Sequence, residues 1–407
     1  MDKPKLRYIE AIPIEEDGER RILIRDPQNM TDKMLALAPE AFMIVAMFDG
    51  ENSIVDVQAE IAKRFGQIVP RETIESMLEV LDENLLLESD RFRTHQKKMF
   101  EEFRSLAVRE PTCAGGAYAS DPVELRQEIE SYFDTQDGPG SHNGEATKPV
   151  KALISPHIDY VRGGHCYAHV YQKLNHAPPV DVFIILGTGH AGPRGNYVFT
   201  KKDFETPLGV VETDREFIQA LEAKIGNDLC EEEFIHKGEH SVELQLTFIQ
   251  LTYEETQCPK IVPILCGGFH EAIKDGKVPA EVPEVKRFLD ALKETIAESE
   301  KRVCVLASAD LAHVGPRFGD EKPVDGNFLR WLESEDLEML DVVQDLKAED
   351  FFRNVQKDTD RRRVCGLASI YTLLSVTDAE EVELLKYSQA TDPSGEQCVT
   401  FCGMTFH

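Results

Sequence analysis

The stretch Val150-Lys-Ala-Leu-Ile-Ser-Pro-His-Ile-Asp-Tyr160 joins an apolar run to an abrupt polar ending. A near-continuous apolar run as short as Val150–Ile154 suits a strand buried on both faces. The same shape recurs twice. Val182–Leu186 runs into Gly187-Thr188-Gly189-His190, and Arg302–Ala307 runs into Ser308-Ala309-Asp310-Leu311-Ala312-His313. Ile261–Leu265 is a fourth apolar run. Helical periods fall between these runs, over Cys166–Leu174, Asp214–Ile225, Ser241–Leu251 and Val285–Glu298. This alternation predicts an α/β fold with a central mixed sheet flanked by helices.

Ligands of open α/β sheets collect beyond the carboxyl ends of the strands. A single histidine there is usually a satisfied structural side chain. Here three strands end within a few residues of one: His157, His190 and His313, the last with Asp310. Three in the same topological place predict one pocket. Glu239-His240-Ser241 opens the helix Val242–Leu251, whose N-terminus would favour an anionic ligand. Arg361-Arg362-Arg363-Val364-Cys365-Gly366 precedes the apolar helix Leu367–Leu374. A cysteine at a helix start, behind three arginines, is expected to have a lowered pKa and to exist partly as thiolate. The plainer reading of Cys365 is a small buried residue.

Neutral imidazoles with a thiolate suit a borderline transition metal, Fe(II) first, with Cu or Zn as alternatives. Two histidines and one anion imitate the facial triad of non-haem iron enzymes, with cysteine in the carboxylate's place. Asp310 is expected to accept a ligand histidine's second N–H and fix its tautomer. His313 is expected to act as an unligated acid or base. His165 and His169 lie four apart on one helix but lack an HExxH frame. His142 falls in a polar tract, and His95, His176, His236 and His407 have no supporting context.

Residues 1–100 follow a different pattern. Arg7–Ile14 and Arg21–Arg25 read as short strands joined by the turn Glu15-Glu16-Asp17-Gly18. Leu35–Phe48, Ile54–Arg64 and Thr73–Leu86 read as helices, with Pro70 opening the last and Leu85-Leu86-Leu87 suggesting a closing strand. Three short helices with small strands resemble a winged-helix unit, and more closely a PqqD-like peptide-binding domain. A linker over 101–110 lies within a charged helical stretch, Arg91–Arg109. The remainder, 111–407, forms the α/β domain. In it a helix Pro122–Phe133 is capped by Asp121, and the tract Asp137–Lys148 reads as a loop.

The chain has 407 residues and a formal net charge of −29. A surface that acidic repels phosphate backbones and anionic membranes, which excludes nucleic-acid binding and membrane docking. Peptide or protein docking is therefore the expected role of the N-terminal domain. MDKPKLRYIE lacks the apolar core of a secretory signal. The nine cysteines are odd in number and sit mostly in apolar runs, which fits reduced thiols in a cytoplasmic protein.

The ordered stretches SPHIDY, LGTGH, Thr206-Pro-Leu-Gly209, EHSVELQLTFIQ, VPILCGG, ASADLAHVG and Cys365-Gly366, with the ending YSQATDPSGEQCVTFCGMTF, resemble the Memo family. Gly115–Phe133 looks like that family's usual start, so the resemblance covers about 110–407. Bacterial and archaeal members are often called AmmeMemoRadiSam system protein B. The resemblance implies a fold similar to class III extradiol dioxygenases, which use non-haem iron. It implies metal ligands at His157, His190 and Cys365. Asp310 and His313 would be catalytic, and His240 would lie near the pocket. The sequence departs from the family pattern in places. Ile158-Asp159 replaces the commoner Ala-Gly, and Ala191 stands where a second histidine is often found. Three functions follow: a metal-dependent, dioxygenase-like redox enzyme acting on a small or peptide-bound substrate; a non-catalytic metal- or peptide-binding scaffold; and a metal-free Cys365–His hydrolase.

Overall fold

A computed structural model describes residues 2–16, 18–27, 30–140 and 148–407 and divides the chain into two compact units, Met1–Leu106 and Ala107–His407. Asp17 of the expected first turn, His142 and most of the polar tract lie outside the described residues.

In the first unit, β1 (Glu10–Glu16) and β2 (Glu19–Arg25) pair antiparallel, Glu10 opposite Arg25. A third strand, β3 (Leu35–Leu37), joins β2 with Leu35 opposite Ile24. The sequence pattern had placed 35–37 in a helix. That helix, α1 (Pro39–Val45), starts only at Pro39, because a proline disfavours helical backbone in the residue before it. α2 (Ile54–Phe65) opens with a reciprocal cap between Ser53 and Asp56 and ends at Gly66 in the left-handed region. α3 (Arg71–Glu83) follows Pro70. The expected closing strand at 85–87 reduces to a single bridge, Leu6 to Leu87, since Leu85 is left-handed with φ 62°. α4 (Asp90–Ser105) completes the unit. Ile24, Val45, Phe48, Val57, Ile61, Ile74, Leu81, Leu86 and Leu87 form its core. Arg7 is buried on Asp26 at 3.0 Å and stacks 3.8 Å over Phe92.

The second unit begins with β4 (Val108–Arg109) and α5 (Pro122–Phe133), then alternates strand and helix. β5 (Ala152–Ser155), α6 (Tyr160–Asn175) and β6 (Val182–Thr188) come first. The short strands β7 (Tyr197–Phe199), β8 (Asp203–Thr206) and β9 (Gly209–Val211) lead into α7 (Arg215–Ile225) and α8 (His240–Thr252). β10 (Lys260–Cys266), α9 (His270–Asp275), α10 (Pro283–Glu298), β11 (Val303–Ser308) and β12 (Asp310–Val314) follow. The unit closes with α11 (Gly326–Gln344), α12 (Ala348–Gln356), α13 (Leu367–Val376), β13 (Val382–Thr391) and β14 (Cys398–Phe406).

Eight of these strands form one sheet in the order β12-β14-β5-β11-β6-β10-β7, with β13 on β14. β5, β11, β6 and β10 run parallel; β14 and β7 are antiparallel to their neighbours. The strand period of two decides what each side chain meets. Val182, Ile184 and Leu186 face the core shared with α7, α10 and α13. Phe183 and Ile185 face the core shared with α5, α6 and α8. Each such side chain contributes roughly 1.5–3 kcal/mol on full burial. The expected mixed sheet flanked by helices is therefore present. Among the described residues no helix is long and apolar enough to cross a membrane.

Candidate metal centre

β5, β11 and β6 are consecutive in the sheet and parallel, so their carboxyl ends lie side by side. His157 follows β5, Asp310 follows β11 and His190 follows β6. His240 is the first residue of α8. Gly187, at the end of β6, lets that helix approach: a Cβ there would lie 2.6 Å from Ser241 Oγ.

His157 is buried. Its Nδ1–H donates to the Ser308 carbonyl at 2.9 Å, which leaves the lone pair on Nε2. That Nε2 lies 3.3 Å from Cys365 Sγ and 3.6 Å from Asp310 Oδ2. The turn carrying His157 is held from beneath: Gln245 donates to the Pro156 carbonyl and to Ser308 Oγ, each at 2.7 Å.

Glu239 organises the other two histidines. Its buried carboxylate accepts from His190 N at 3.0 Å and from Ser241 N at 2.9 Å. His190 Nδ1 lies 3.0 Å from Glu239 Oε1, and His240 Nδ1 lies 3.3 Å from the same oxygen. The two rings stack with centroids 4.6 Å apart at 22°, and His157 stands edge-on to both. Each of the three offers a ring nitrogen, and these atoms lie within 4.8 Å of one another. The His190 side chain is 39% exposed, so the cluster opens to solvent on that side.

Cys365 meets the cluster through His157. Its segment is strapped to β12 by backbone bonds: Cys365 N to the Leu311 carbonyl, Gly366 N to the Asp310 carbonyl, and His313 N to the Arg362 carbonyl. Gly366 permits the close approach, since a Cβ there would come within 2.5 Å of Ala309 Cβ. His313 lies beside the cluster, its ring packed edge-on to Phe318 with centroids 5.1 Å apart. An irregularity in the β12–β14 register falls between Asp310 and His313 and breaks the strand alternation there.

Two expectations are corrected. Asp310 does not fix a histidine tautomer; the Ser308 carbonyl and Glu239 do. Asp310 Oδ1 instead accepts the backbone N–H groups of His157 and Ile158, and its other oxygen lies 3.6 Å from His157 Nε2. The Cys365 thiol is not acidified either. Burial, with Asp310 adding to it, pushes its pKa well above the usual value. The arginines before it are engaged elsewhere: Arg362 is buried on Asp336 and Asn354, and Arg363 pairs with Asp320. A bound cation would have to displace the thiol proton, as metals do when they bind cysteine.

Burial pushes His157 down to about 3 and His240 down to about 4, which keeps both rings in the neutral, ligating form. Burial opposes a proton on His190 too, but the Glu239 charge and hydrogen bond prevail and raise its pKa. His236, buried with Nε2 3.0 Å from the Val198 carbonyl, falls to about 4, burial being the main cause. For a histidine whose folded pKa lies below its unfolded 6.5, the unfolded chain binds more protons, so stability falls as pH drops. Acidifying metal-free protein from pH 6.5 to 4 should therefore destabilise it. The slope should approach about 1.4 kcal/mol per pH unit for each of His157 and His236, with a smaller part from the partly exposed His240, offset in part by Asp310, which burial raises, and by His190, which Glu239 raises. Denaturant midpoints across that range check this, and His236→Gln should make the decline shallower.

Three other histidines each have one hydrogen-bond partner. His165 Nε2 meets Ser388 Oγ, His169 Nε2 meets the Asp137 carbonyl, and His95 Nε2 meets the Met30 carbonyl. A second acidic cluster, Glu222, Asp228 and Cys230, already holds a cation: Lys201 Nζ sits 2.7 Å and 2.9 Å from the Glu222 oxygens. Sequence reasoning missed two supports of the site. One is Glu239, visible only as an acid beside a histidine. The other is Arg109, which donates to the Glu239 and His236 carbonyls at 2.8 Å and 3.0 Å and is itself buried on Glu243.

Residues 109–405 match the family model described as Memo-like protein. The chain belongs to the Memo-like family. The match begins at Arg109, so the residues assembling the cluster all fall within it. A MEMO1 family protein of Aquifex aeolicus is 27% identical over 408 residues, covering all of both chains. A MEMO1 family protein of Methanopyrus kandleri is 32% identical and is 98% covered, but aligns with 73% of this chain. One of Saccharolobus solfataricus is 32% identical, with 94% and 70% covered respectively. The Memo-like part thus makes up nearly the whole of those archaeal relatives, whereas the alignment with the Aquifex protein also takes in the first unit.

Proposed function

We propose that the protein holds one transition-metal ion, Fe(II) first and Cu or Zn in its place, with His157, His190 and Cys365 as ligands. The observation that carries this reading is the way Nδ1 is occupied on both histidines, by Ser308 and by Glu239. That leaves each Nε2 as donor, in rings kept neutral or steered by a carboxylate. The donor set fits a borderline metal: imidazole nitrogens, a thiol that can give up its proton, and no competing lysine within it. Such an ion would supply Lewis-acid or redox chemistry. The chain's own part is to orient the ligands, to leave the His190 side open to a small or peptide-bound substrate, and to hold His313, Asp310 and His240 as proton-handling groups around it. This supports a dioxygenase-like redox enzyme with a fold akin to class III extradiol dioxygenases, of the kind called AmmeMemoRadiSam system protein B. The metal-free hydrolase is disfavoured, because a thiol pushed up beside an imidazole pushed down makes a poor nucleophilic pair.

One observation favours a binding role for the first unit. Large apolar side chains are exposed on it, among them Tyr8, Val55, Phe65 and Ile68. We read it as a PqqD-like or winged-helix-like module for a peptide or protein partner in the cytoplasm, with neither nucleic acid nor membrane as a partner. A scaffold that binds metal and peptide without catalysis is the alternative, and oxygen consumption with catechols separates the two.

Metal analysis of protein purified anaerobically should find about one equivalent of metal per chain, as a single-ion site requires. Because a protonated thiol must lose its proton on binding, affinity should rise about tenfold per pH unit near neutrality. Cys365→Ala should weaken binding and flatten that dependence. A folded, metal-free parent protein would sink the reading.

A further inference from the structure

Three described donors surround His157: Cys365, His190 and His240. Cys365 Sγ approaches Nε2 of His157, while His190 and His240 approach as a pair. The pair has an unusual construction. Two imidazoles stack nearly parallel, and the Nδ1 of each lies within 3.3 Å of one oxygen, Glu239 Oε1. With His157 they bring three ring nitrogens, one from each residue, within 4.8 Å of one another. Among the described residues, neither Nε2 has a hydrogen-bond partner. Three imidazole nitrogens converging this closely on one point, open to solvent on one side, form a ready-made seat for a cation. His157 faces both rings from the side.

From this we infer that His240 is a metal ligand, completing a three-nitrogen set with His157 and His190 that binds a divalent ion whether or not Cys365 takes part. This rests on the metal-binding reading above and changes what the site selects. A nitrogen set suits Zn(II), Co(II) or Fe(II), whereas the sulfur side suits softer ions. Glu239 is then the positioning residue for two ligands at once, and its carboxylate offsets part of the ion's charge.

The test uses the full chain and Co(II) as probe, with affinity read by chelator competition and geometry by the visible absorption of bound cobalt. Cys365→Ala should still bind about one Co(II) in a well-defined geometry, without any thiolate-to-cobalt charge-transfer band. Adding His240→Ala in that background should weaken binding by more than the about 10–100-fold typical of an outer-shell change. His240→Asn should do the same. Because His240 is half-exposed at a helix start, circular dichroism of both variants should match the parent. If the parent binds cobalt and Cys365→Ala does not, the three-nitrogen set is refuted and the His157–His190–Cys365 reading stands. An unchanged affinity on adding His240→Ala also refutes it. A parent that binds no metal overturns both.

Discussion

Glu243→Ala should lower the stability of the second unit by about 3–5 kcal/mol, the usual result of stranding a buried charge. Glu243 and Arg109 are both fully buried and ion-paired. The carboxylate also accepts from Tyr118 Oη at 2.5 Å, Thr112 N at 3.0 Å and Cys113 N at 2.9 Å. Removing it leaves the Arg109 guanidinium without a counter-charge, held only by the neutral oxygens of Thr112, His236 and Glu239, leaves the Tyr118 hydroxyl without a partner and opens a cavity. Burial of the carboxylate raises its pKa, but Arg109 and its hydrogen bonds prevail and hold it below the usual value. The effect should reach the site, because Arg109 also holds the Glu239 carbonyl. Urea denaturation of parent and variant measures the change. A difference within 1 kcal/mol would mean that water replaces the carboxylate and that the pair is dispensable. An Arg109→Met, Glu243→Leu double variant should recover much of the loss, since a buried pair exchanged for apolar groups is often near neutral.

Glu239→Gln should weaken metal binding by about 10–100-fold with little change in fold. The amide is the same size and can still accept one hydrogen bond. It has one acceptor oxygen where the carboxylate has two, and that carboxylate takes His190 N, His190 Nδ1 and Ser241 N. Loss of the negative charge removes what raises the His190 pKa, so both stacked rings would be free to turn. The prediction differs from that for Cys365→Ala: Glu239→Gln should weaken Co(II) binding and keep any thiolate band. Equal affinity for parent and variant would show that the tautomers are set without Glu239.

Much of the architecture was legible because each buried strand carries its own apolar run and each helix its own period. Ala152–Ser155, Val182–Thr188 and Val303–Ser308 lie where those runs predicted. The errors have local causes. Pro39 divided what read as one helix, and left-handed Leu85 prevented a strand. The expectation for Cys365 failed because three arginines adjacent in sequence are not adjacent in charge. Burial raises the thiol's pKa, and Asp336 and Asn354 hold Arg362 while Asp320 holds Arg363.

The sequence alone determined that His157, His190 and Asp310 end strands of one sheet, because strand ends are local features. Only the tertiary structure decided which side chains meet. It placed His240 in the cluster, gave His157 its tautomer through the Ser308 carbonyl, and tied two histidines to the Glu239 carboxylate. Apart from the adjacent Glu239 and His240, those contacts join residues about 50 to 150 positions apart. Their directions follow from how β5, β11 and β6 lie side by side and how α8 packs on them, and no spacing in the chain encodes them.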